Sequence, residues 1–320
     1  MYKREFAVLA VVCMLFIGLV GTSGCARQES IEEDVGQFYV GGASGLSMRF
    51  VEGQPPDEFF EQDDVEVVIQ LENSGEYDIP ENGVNLIISG VPPSAKKDFE
   101  SSKFNIMPLP GVSRVVDTII PGAVEEVLFG TLSYDVRVPE GSIPQRLHAK
   151  ACYLYGANTT STACIRENIY AATIGAQICE VNEEKKVETS SGPIQVSAAR
   201  EFARGPNKIS FTVTVENAGA GDVYWNEQRD LKCESIPFTD LNKIKLAEVS
   251  IDGLEDRLET CSGLGADNTI RLKSDKTGSF VCVWNTTGQE AYEGFMTVDL
   301  EYIYTSEIIK EVNVLALAGV

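Results

Sequence analysis

Val65-Glu66-Val67-Val68-Ile69-Gln70-Leu71-Glu72-Asn73-Ser74-Gly75 reads as a single β-strand and the turn that ends it. Val65, Val67, Ile69 and Leu71 recur at a period of two, opposite the largely polar Glu66, Val68, Gln70 and Glu72. One face of the segment therefore has to be covered and the other can meet water. The same pattern returns at Ile209, Phe211, Val213 and Val215, which alternate with Ser210, Thr212, Thr214 and Glu216. Both runs end alike, in Glu72-Asn73-Ser74-Gly75 and Glu216-Asn217-Ala218-Gly219, where asparagine and glycine tolerate the left-handed conformations that turn a chain out of a strand.

Further strands are expected at Val84 to Ser89, Val115 to Ile120, Val124 to Tyr134, Ile244 to Ile251, Thr269 to Lys273 and Ser279 to Trp284. Between them stand Gly90-Val91-Pro92-Pro93, Pro121-Gly122 and Pro139-Glu140-Gly141, the punctuation of short sandwich strands rather than of βαβ units. A second internal match relates Leu147 to Tyr155 to Thr297 to Tyr304, each ending in Tyr-x-Tyr, with a turn and a returning strand expected after each. The fold class is therefore all-β, with two tandem Ig-like β-sandwich domains behind an N-terminal signal and lipobox. The expected layout is a signal peptide over 1–24, a tether over 25–45, a first sandwich over 46–178, a polar linker over 179–191 and a second sandwich over 192–320.

The signal lies in Lys3 and Arg4, an uncharged run from Phe6 to Gly21, and the small residues Thr22, Ser23 and Gly24 before Cys25. Basic start, apolar core and small-residue exit define a secretory segment. The apolar run is shorter than the ~20 residues of a permanent membrane helix. Thr-Ser-Gly-Cys resembles a lipobox, which makes Cys25 the expected lipidation site, and a diacylglyceryl group supplies the two buried chains that stable anchoring takes. Cysteine parity agrees. With Cys13 removed and Cys25 lipidated, Cys152, Cys164, Cys179, Cys233, Cys261 and Cys282 remain as an even set, which suits an oxidising compartment.

The strand ending in Glu-Asn-x-Gly, used twice, resembles the opening of CARDB-type (cell-adhesion-related) and archaeal S-layer-associated Ig-like repeats. The resemblance spans most of Leu46 to Leu315 and implies a sandwich fold with an extracellular adhesive or scaffolding role, without a family active site. A hairpin carrying a cysteine on each strand is familiar in such proteins. Cys152 and Cys164, on either side of Gly156-Ala157-Asn158-Thr159-Thr160, have that arrangement and are expected to pair across antiparallel strands. The second half departs from it, with Glu301 and other non-cysteine residues in the equivalent place. The other four cysteines allow three connectivities, of which Cys261 with Cys282 and Cys179 with Cys233 is the favoured one.

The charge of the 320-residue chain is -22. Lys3, Arg4 and Glu5 together contribute +1 before Cys25, so the chain from Cys25 onward carries -23. Such a polyanion is repelled by nucleic acid and by anionic lipid. No Cys-x-x-Cys occurs and His148 is the sole histidine, so a zinc site is not expected; no metal or cofactor is. Asp57 to Asp64 and Asp252 to Asp256 lack the spacing of a calcium loop and read as solvated charge. Asn158 and Asn285 head N-glycosylation sequons, each expected in a turn or at a strand end. His148 reads as a packed or surface histidine, and Trp225 and Trp284 as sandwich core or interdomain contacts.

The functional expectation is a non-enzymatic, lipid-anchored protein on the outer face of the cell membrane, serving adhesion, binding or envelope scaffolding. Its partners would be the membrane, through the anchor, and a protein or envelope polymer. The alternatives are a polymerising, pilus-like subunit that assembles through edge strands and an exported enzyme with an unfamiliar acidic site.

Overall fold

The computed structural model describes residues 38–317 apart from 117, 135–136, 139–140, 169–177, 232 and 266. The signal and the lipidation residue Cys25 lie outside the described residues. Among the described residues regular structure is all β, interrupted by two 3-10 turns at Pro93–Ala95 and Glu255–Arg257. The first half contains β1 (Leu46–Phe50), β2 (Glu58–Phe60), β3 (Val65–Asn73), β4 (Val84–Ser89), β5 (Lys96–Lys97), β6 (Ser102–Phe104), β7 (Ser113–Val115), β8 (Thr118–Ile120), β9 (Val124–Leu132) and β10 (Ser142–Ile165). The second contains β11 (Glu184–Lys185), β12 (Val187–Thr189), β13 (Ile194–Ala203), β14 (Lys208–Asn217), β15 (Val223–Tyr224), β16 (Lys243–Ile251), β17 (Leu258–Ser262), β18 (Thr269–Arg271), β19 (Thr277–Asn285) and β20 (Tyr292–Leu315).

The alternating runs become the inner strands of two small sheets. β3 sits between β1 and β9 in a four-stranded sheet ordered β1-β3-β9-β5, and β14 sits between β13 and β19 in a five-stranded sheet ordered β11-β13-β14-β19-β17. Val67, Ile69 and Leu71 on β3, and Ile209, Phe211, Val213 and Val215 on β14, are fully buried. Both small sheets face one nine-stranded sheet, which follows the path β18-β16-β20-β10-β4-β6, with β12 added beside β10 and β15 and β2 beside β20.

That large sheet is held together at its centre by two 24-residue strands. β10 and β20 pair antiparallel at every position, from Ser142 opposite Leu315 to Ile165 opposite Tyr292. At roughly 3.4 Å per residue the ribbon is about 80 Å long. Its odd-numbered β10 residues (Leu147, Ala149, Ala151, Tyr153, Tyr155) and even-numbered β20 residues (Val298, Leu300, Tyr302, Tyr304) face one side. There they join the inner faces of β3, β9, β14 and β19 in a continuous apolar core. The other side carries a smaller cluster of Cys152, Tyr224, Leu231, Cys233 and Ile303, supplied in part by the segment between β15 and β16.

Three expectations are corrected by this arrangement. First, no turn follows either Tyr-x-Tyr. Gly156 to Thr160 continue β10, paired to β20 on one side, while Thr159 to Ser161 are paired to β12 on the other. Local glycine and asparagine preferences yield to a ladder satisfied from both edges. Gly156 is required because a Cβ there would lie 2.3 Å from the Tyr77 ring. Asn158 accordingly lies in mid-strand, exposed, rather than in a turn.

Second, Cys152 does not pair with Cys164. Twelve residues apart on one extended strand, they are separated by roughly 40 Å, far beyond a bridge's Cα spacing. Cys152 instead bonds Cys233 (Cα–Cα 5.5 Å) and Cys164 bonds Cys179 (5.6 Å), which also replaces the expected Cys179 to Cys233 link. Cys261 and Cys282 do pair, at 4.1 Å, from opposite positions on β17 and β19. Third, Val115 to Ile120 is not one strand. β7 and β8 fold back on each other as a separate two-stranded hairpin.

Residues 38–45, the end of the expected tether, lie against the body through hydrogen bonds described below. Within residues 179–191, β11 pairs with β13 and β12 with β10, and Thr189, Ser190 and Ser191 are buried.

Candidate functional site

The repeated Asn-x-Gly and Tyr-x-Tyr motifs meet in space, and the core contacts are duplicated, with Asn73 Nδ2 donating in addition to the Leu109 carbonyl at 2.8 Å. In the first half the Tyr155 hydroxyl donates to Asn73 Oδ1 at 3.0 Å, the Gly75 amide donates to the same oxygen at 3.3 Å, and Asn73 Nδ2 donates to the Tyr77 carbonyl at 2.8 Å. In the second half the Tyr304 hydroxyl donates to Asn217 Oδ1 at 2.9 Å, the Gly219 amide at 3.1 Å, and Asn217 Nδ2 donates to the Gly221 carbonyl at 2.9 Å. Each tyrosine oxygen also accepts a backbone amide, from Tyr77 and from Gly221. The turn at the end of each small sheet is thus clasped to the central ribbon by one tyrosine.

This geometry revises the reason for the glycines. Neither Gly75 nor Gly219 has a positive φ. A Cβ at Gly75 would sit 2.1 Å from the Tyr155 hydroxyl, and one at Gly219 would sit 2.2 Å from that of Tyr304. Close approach, not left-handed backbone, excludes a side chain. Tyr153, Tyr155, Tyr302 and Tyr304 form a belt with ring centroids 5.6 to 6.3 Å apart, in tilted and edge-on arrangements favoured by aromatic quadrupoles. Burial pushes all four phenols above their ordinary range, so they remain hydrogen-bond donors at any physiological pH.

Around the belt runs the seam between the halves. Glu76, one residue after Gly75, accepts hydrogen bonds from the backbone amides of Val40 (2.8 Å), Gly41 (2.9 Å) and Ser191 (2.6 Å). The corresponding residue after Gly219 is Ala220, so this clasp is present once. An open groove of about 330 Å³ runs along the seam, lined by Gly45, Leu46, Tyr153, Pro193, Gly219 and Tyr304 among others. A second groove of about 350 Å³ opens between β16 and β17, where both strands are bulged, with Leu246, Val249, Leu258 and Leu264 inside and Glu248 and Glu259 among its lining residues. Both grooves mix apolar side chains with hydroxyl and carboxylate groups, Thr305, Ser306 and Glu307 in the first and Glu259 and Thr260 in the second.

One buried ionic contact had no sequence signal. Glu201 on β13 is fully buried, 3.2 Å from the Lys185 ammonium, and its carboxylate accepts the Cys164 amide at 3.1 and 3.2 Å. Burial pushes its carboxyl up to about 7, against the opposing pull of Lys185 and of the Cys164 amide. Glu201 thereby covers a backbone donor of β10 beside the Cys164–Cys179 bridge.

The remaining candidates are scattered. His148 is exposed on the side of β10 away from the core. Asn285 ends β19 as expected, with its side-chain nitrogen on Glu259 at 3.2 Å and its oxygen accepting the Thr287 amide at 2.9 Å. Trp284 belongs to the core, edge-on to Phe211, while Trp225 lies under the Arg229 guanidinium. The clasp itself was written in the sequence as two repeats, but nothing in either motif said that they touch. In comparisons with known proteins, no family model and no curated sequence matches this chain.

Proposed function

We propose that this chain is a lipid-anchored cell-surface protein, held at the outer membrane face through Cys25, whose two Ig-like halves act as one stiff unit in adhesion, binding or envelope scaffolding. The observation that carries the reading is the fully paired β10–β20 ribbon, tied by Cys152–Cys233 and Cys164–Cys179, with a third bridge, Cys261–Cys282, in the five-stranded sheet; three bridges suit an oxidising, extracytoplasmic compartment. A ribbon buried on one face and cross-braced by Cys152–Cys233 transmits position without bending, which is what a scaffold for recognition loops requires. The grooves at the seam and between β16 and β17 are the surfaces best suited to a protein or envelope-polymer partner.

Assembly by strand exchange is the weaker reading. It needs a free, uncharged edge, whereas the nine-stranded sheet ends in the three-residue strands β18 and β6, and a stretch of β20 that pairs with β10 alone, Ser306 to Glu311, carries Glu307, Lys310 and Glu311; short and charged edges are devices against such pairing. Protease treatment of intact cells, followed by intact-mass measurement of the extracted protein, tests the proposal. It expects digestion from outside and a mass that includes a diacylglyceryl-modified Cys25; protection from protease together with an unmodified Cys25 overturns it.

A further inference from the structure

The β7–β8 hairpin does not belong to any of the larger sheets. Its two strands pair only with each other, Ser113 with Ile120 and Val115 with Thr118, and all their residues except the half-buried Arg114 are exposed. It is also apolar. Val115, Val116, Ile119 and Ile120 are 55%, 84%, 52% and 47% exposed, and Ile106 and Met107 on the preceding loop are 73% and 51% exposed. Val116 adopts a left-handed backbone, φ 57°, where a β-branched residue is a steric outlier and asparagine is favoured. Folding gives no reason for valine at that tip.

The root of the hairpin identifies what the tip faces. The Val112 amide donates to the Gly75 carbonyl at 2.6 Å, and the Gly111 amide donates to Asp78 Oδ1 at 2.8 Å. Glu76, between those two residues, holds the amides of Val40 and Gly41. The hairpin therefore leaves the body beside Val40 and Gly41, a few residues from the first described residue, Phe38, whose amide donates to Glu188 and whose ring lies edge-on to Phe295. Phe38 is 13 residues from Cys25, so whatever its conformation that segment reaches at most roughly 45 Å. An anchored chain keeps Phe38 within about that distance of the bilayer. From Pro110 to Gly122 the sequence PGVSRVVDTIIPG carries one positive and one negative residue, Arg114 and Asp117. In a chain that carries -23 from Cys25 onward, this is a segment that approaches a membrane without repulsion.

We propose that the β7–β8 hairpin is a membrane-contacting element that inserts Val115, Val116, Ile119 and Ile120 into the interfacial region of the bilayer holding the lipid anchor, orienting the double sandwich above it. The proposal rests on the anchored reading given above. Interfacial insertion of this kind buries apolar side chains roughly 5 to 10 Å below the headgroup boundary. Because the contact is apolar, it is insensitive to salt.

The test uses the full-length, lipidated protein in phosphatidylcholine vesicles, with Ile119→Trp as reporter; the native Trp225 and Trp284 are buried and supply a constant background. The expected result is a blue-shifted tryptophan emission quenched about twofold or more by lipids brominated near the top of the acyl chain, the depth set by interfacial burial. Adding Val116→Asn and Ile120→Ser, both compatible with the hairpin, should abolish the quenching while the protein still floats with the vesicles. A reporter that stays red-shifted and open to iodide on vesicle-bound protein overturns the proposal. So does one shielded without lipid in a concentration-dependent way, which would make the hairpin a contact between copies. Intact mass reads the modification of Cys25 separately, so failure of the anchor and failure of the hairpin are told apart.

Discussion

Leu154 and Ile303 lie directly opposite each other at the midpoint of the two Tyr-x-Tyr motifs, with Tyr153 facing Tyr304 and Tyr155 facing Tyr302 on either side. Equivalent residues of the two repeats are thus exchanged by a local two-fold axis through that pair. The dyad of an antiparallel pair stands perpendicular to its sheet, so the two small sheets fall on the same face, as the shared core requires. The chain is built as a pseudo-dimer fused across one ribbon, and the predictions below probe its joints.

The clasps should contribute separately. Tyr155→Phe leaves the buried Asn73 oxygen short of a donor, at a cost of about 1 to 3 kcal/mol, and Tyr304→Phe does the same to the half-buried Asn217 oxygen at a smaller cost, both measurable by urea unfolding. Gly219→Ala should cost less in a Tyr304→Phe background than alone, since the hydroxyl is the closest atom its methyl would meet. Strictly additive effects would mean that the clasp does not exist.

The bridges should differ in weight. Cys152–Cys233 spans 81 residues and Cys164–Cys179 spans 15. In the chain-entropy model these correspond to about 4.5 and about 3 kcal/mol. Paired alanine variants should therefore lose more stability at the first bridge, and a non-reducing peptide map should join Cys152 to Cys233 and not to Cys164.

Glu201 makes stability fall with rising pH. Its folded-state pKa of about 7 lies above its ordinary value of 4.5, so between these limits the folded state holds more protons than the unfolded one. The stabilisation is fully present below about 4.5 and is lost as pH climbs through about 7, a change of roughly 3 kcal/mol at most. Glu201→Gln should flatten that part of the stability profile in urea titrations at stepped pH.

At the hairpin tip, Val116→Asn should raise stability by about 1 kcal/mol, because left-handed backbone costs an ordinary L-residue about 1 to 2 kcal/mol and asparagine tolerates it. A shift of the urea midpoint upward, with unchanged slope, checks this.

Legibility followed the range of the interactions. The period-two runs at Val65 to Leu71 and Ile209 to Val215 were readable because burial of alternate residues is imprinted locally, and β4 runs over Val84–Ser89 as read. Gly156 to Thr160 misled because its turn chemistry is local, whereas the pairing that overrides it comes from Thr297 and Thr189, far along the chain. The expected Cys152–Cys164 and Cys179–Cys233 pairs failed with it, since Cys152 and Cys164 were placed on two strands that are one, whereas Cys261–Cys282, between neighbouring strands, is formed as expected. Glu201 and Lys185 carry no pattern at all; their burial is a product of how β13 and β11 meet the end of β10. The hairpin was visible as apolar residues, and apolar residues in a strand are read as core by default.

The most direct test of the fused ribbon is a nuclear Overhauser contact. The Leu154 amide donates to the Gly83 carbonyl, away from β20, so Leu154 and Ile303 form a non-hydrogen-bonded pair with Cα atoms about 4.5 Å apart and their Hα atoms in contact. A strong Hα–Hα cross-peak between Leu154 and Ile303 is the predicted result. Its absence, with cross-peaks linking Leu154 to residues just beyond Thr160 as in a local hairpin, would contradict the account.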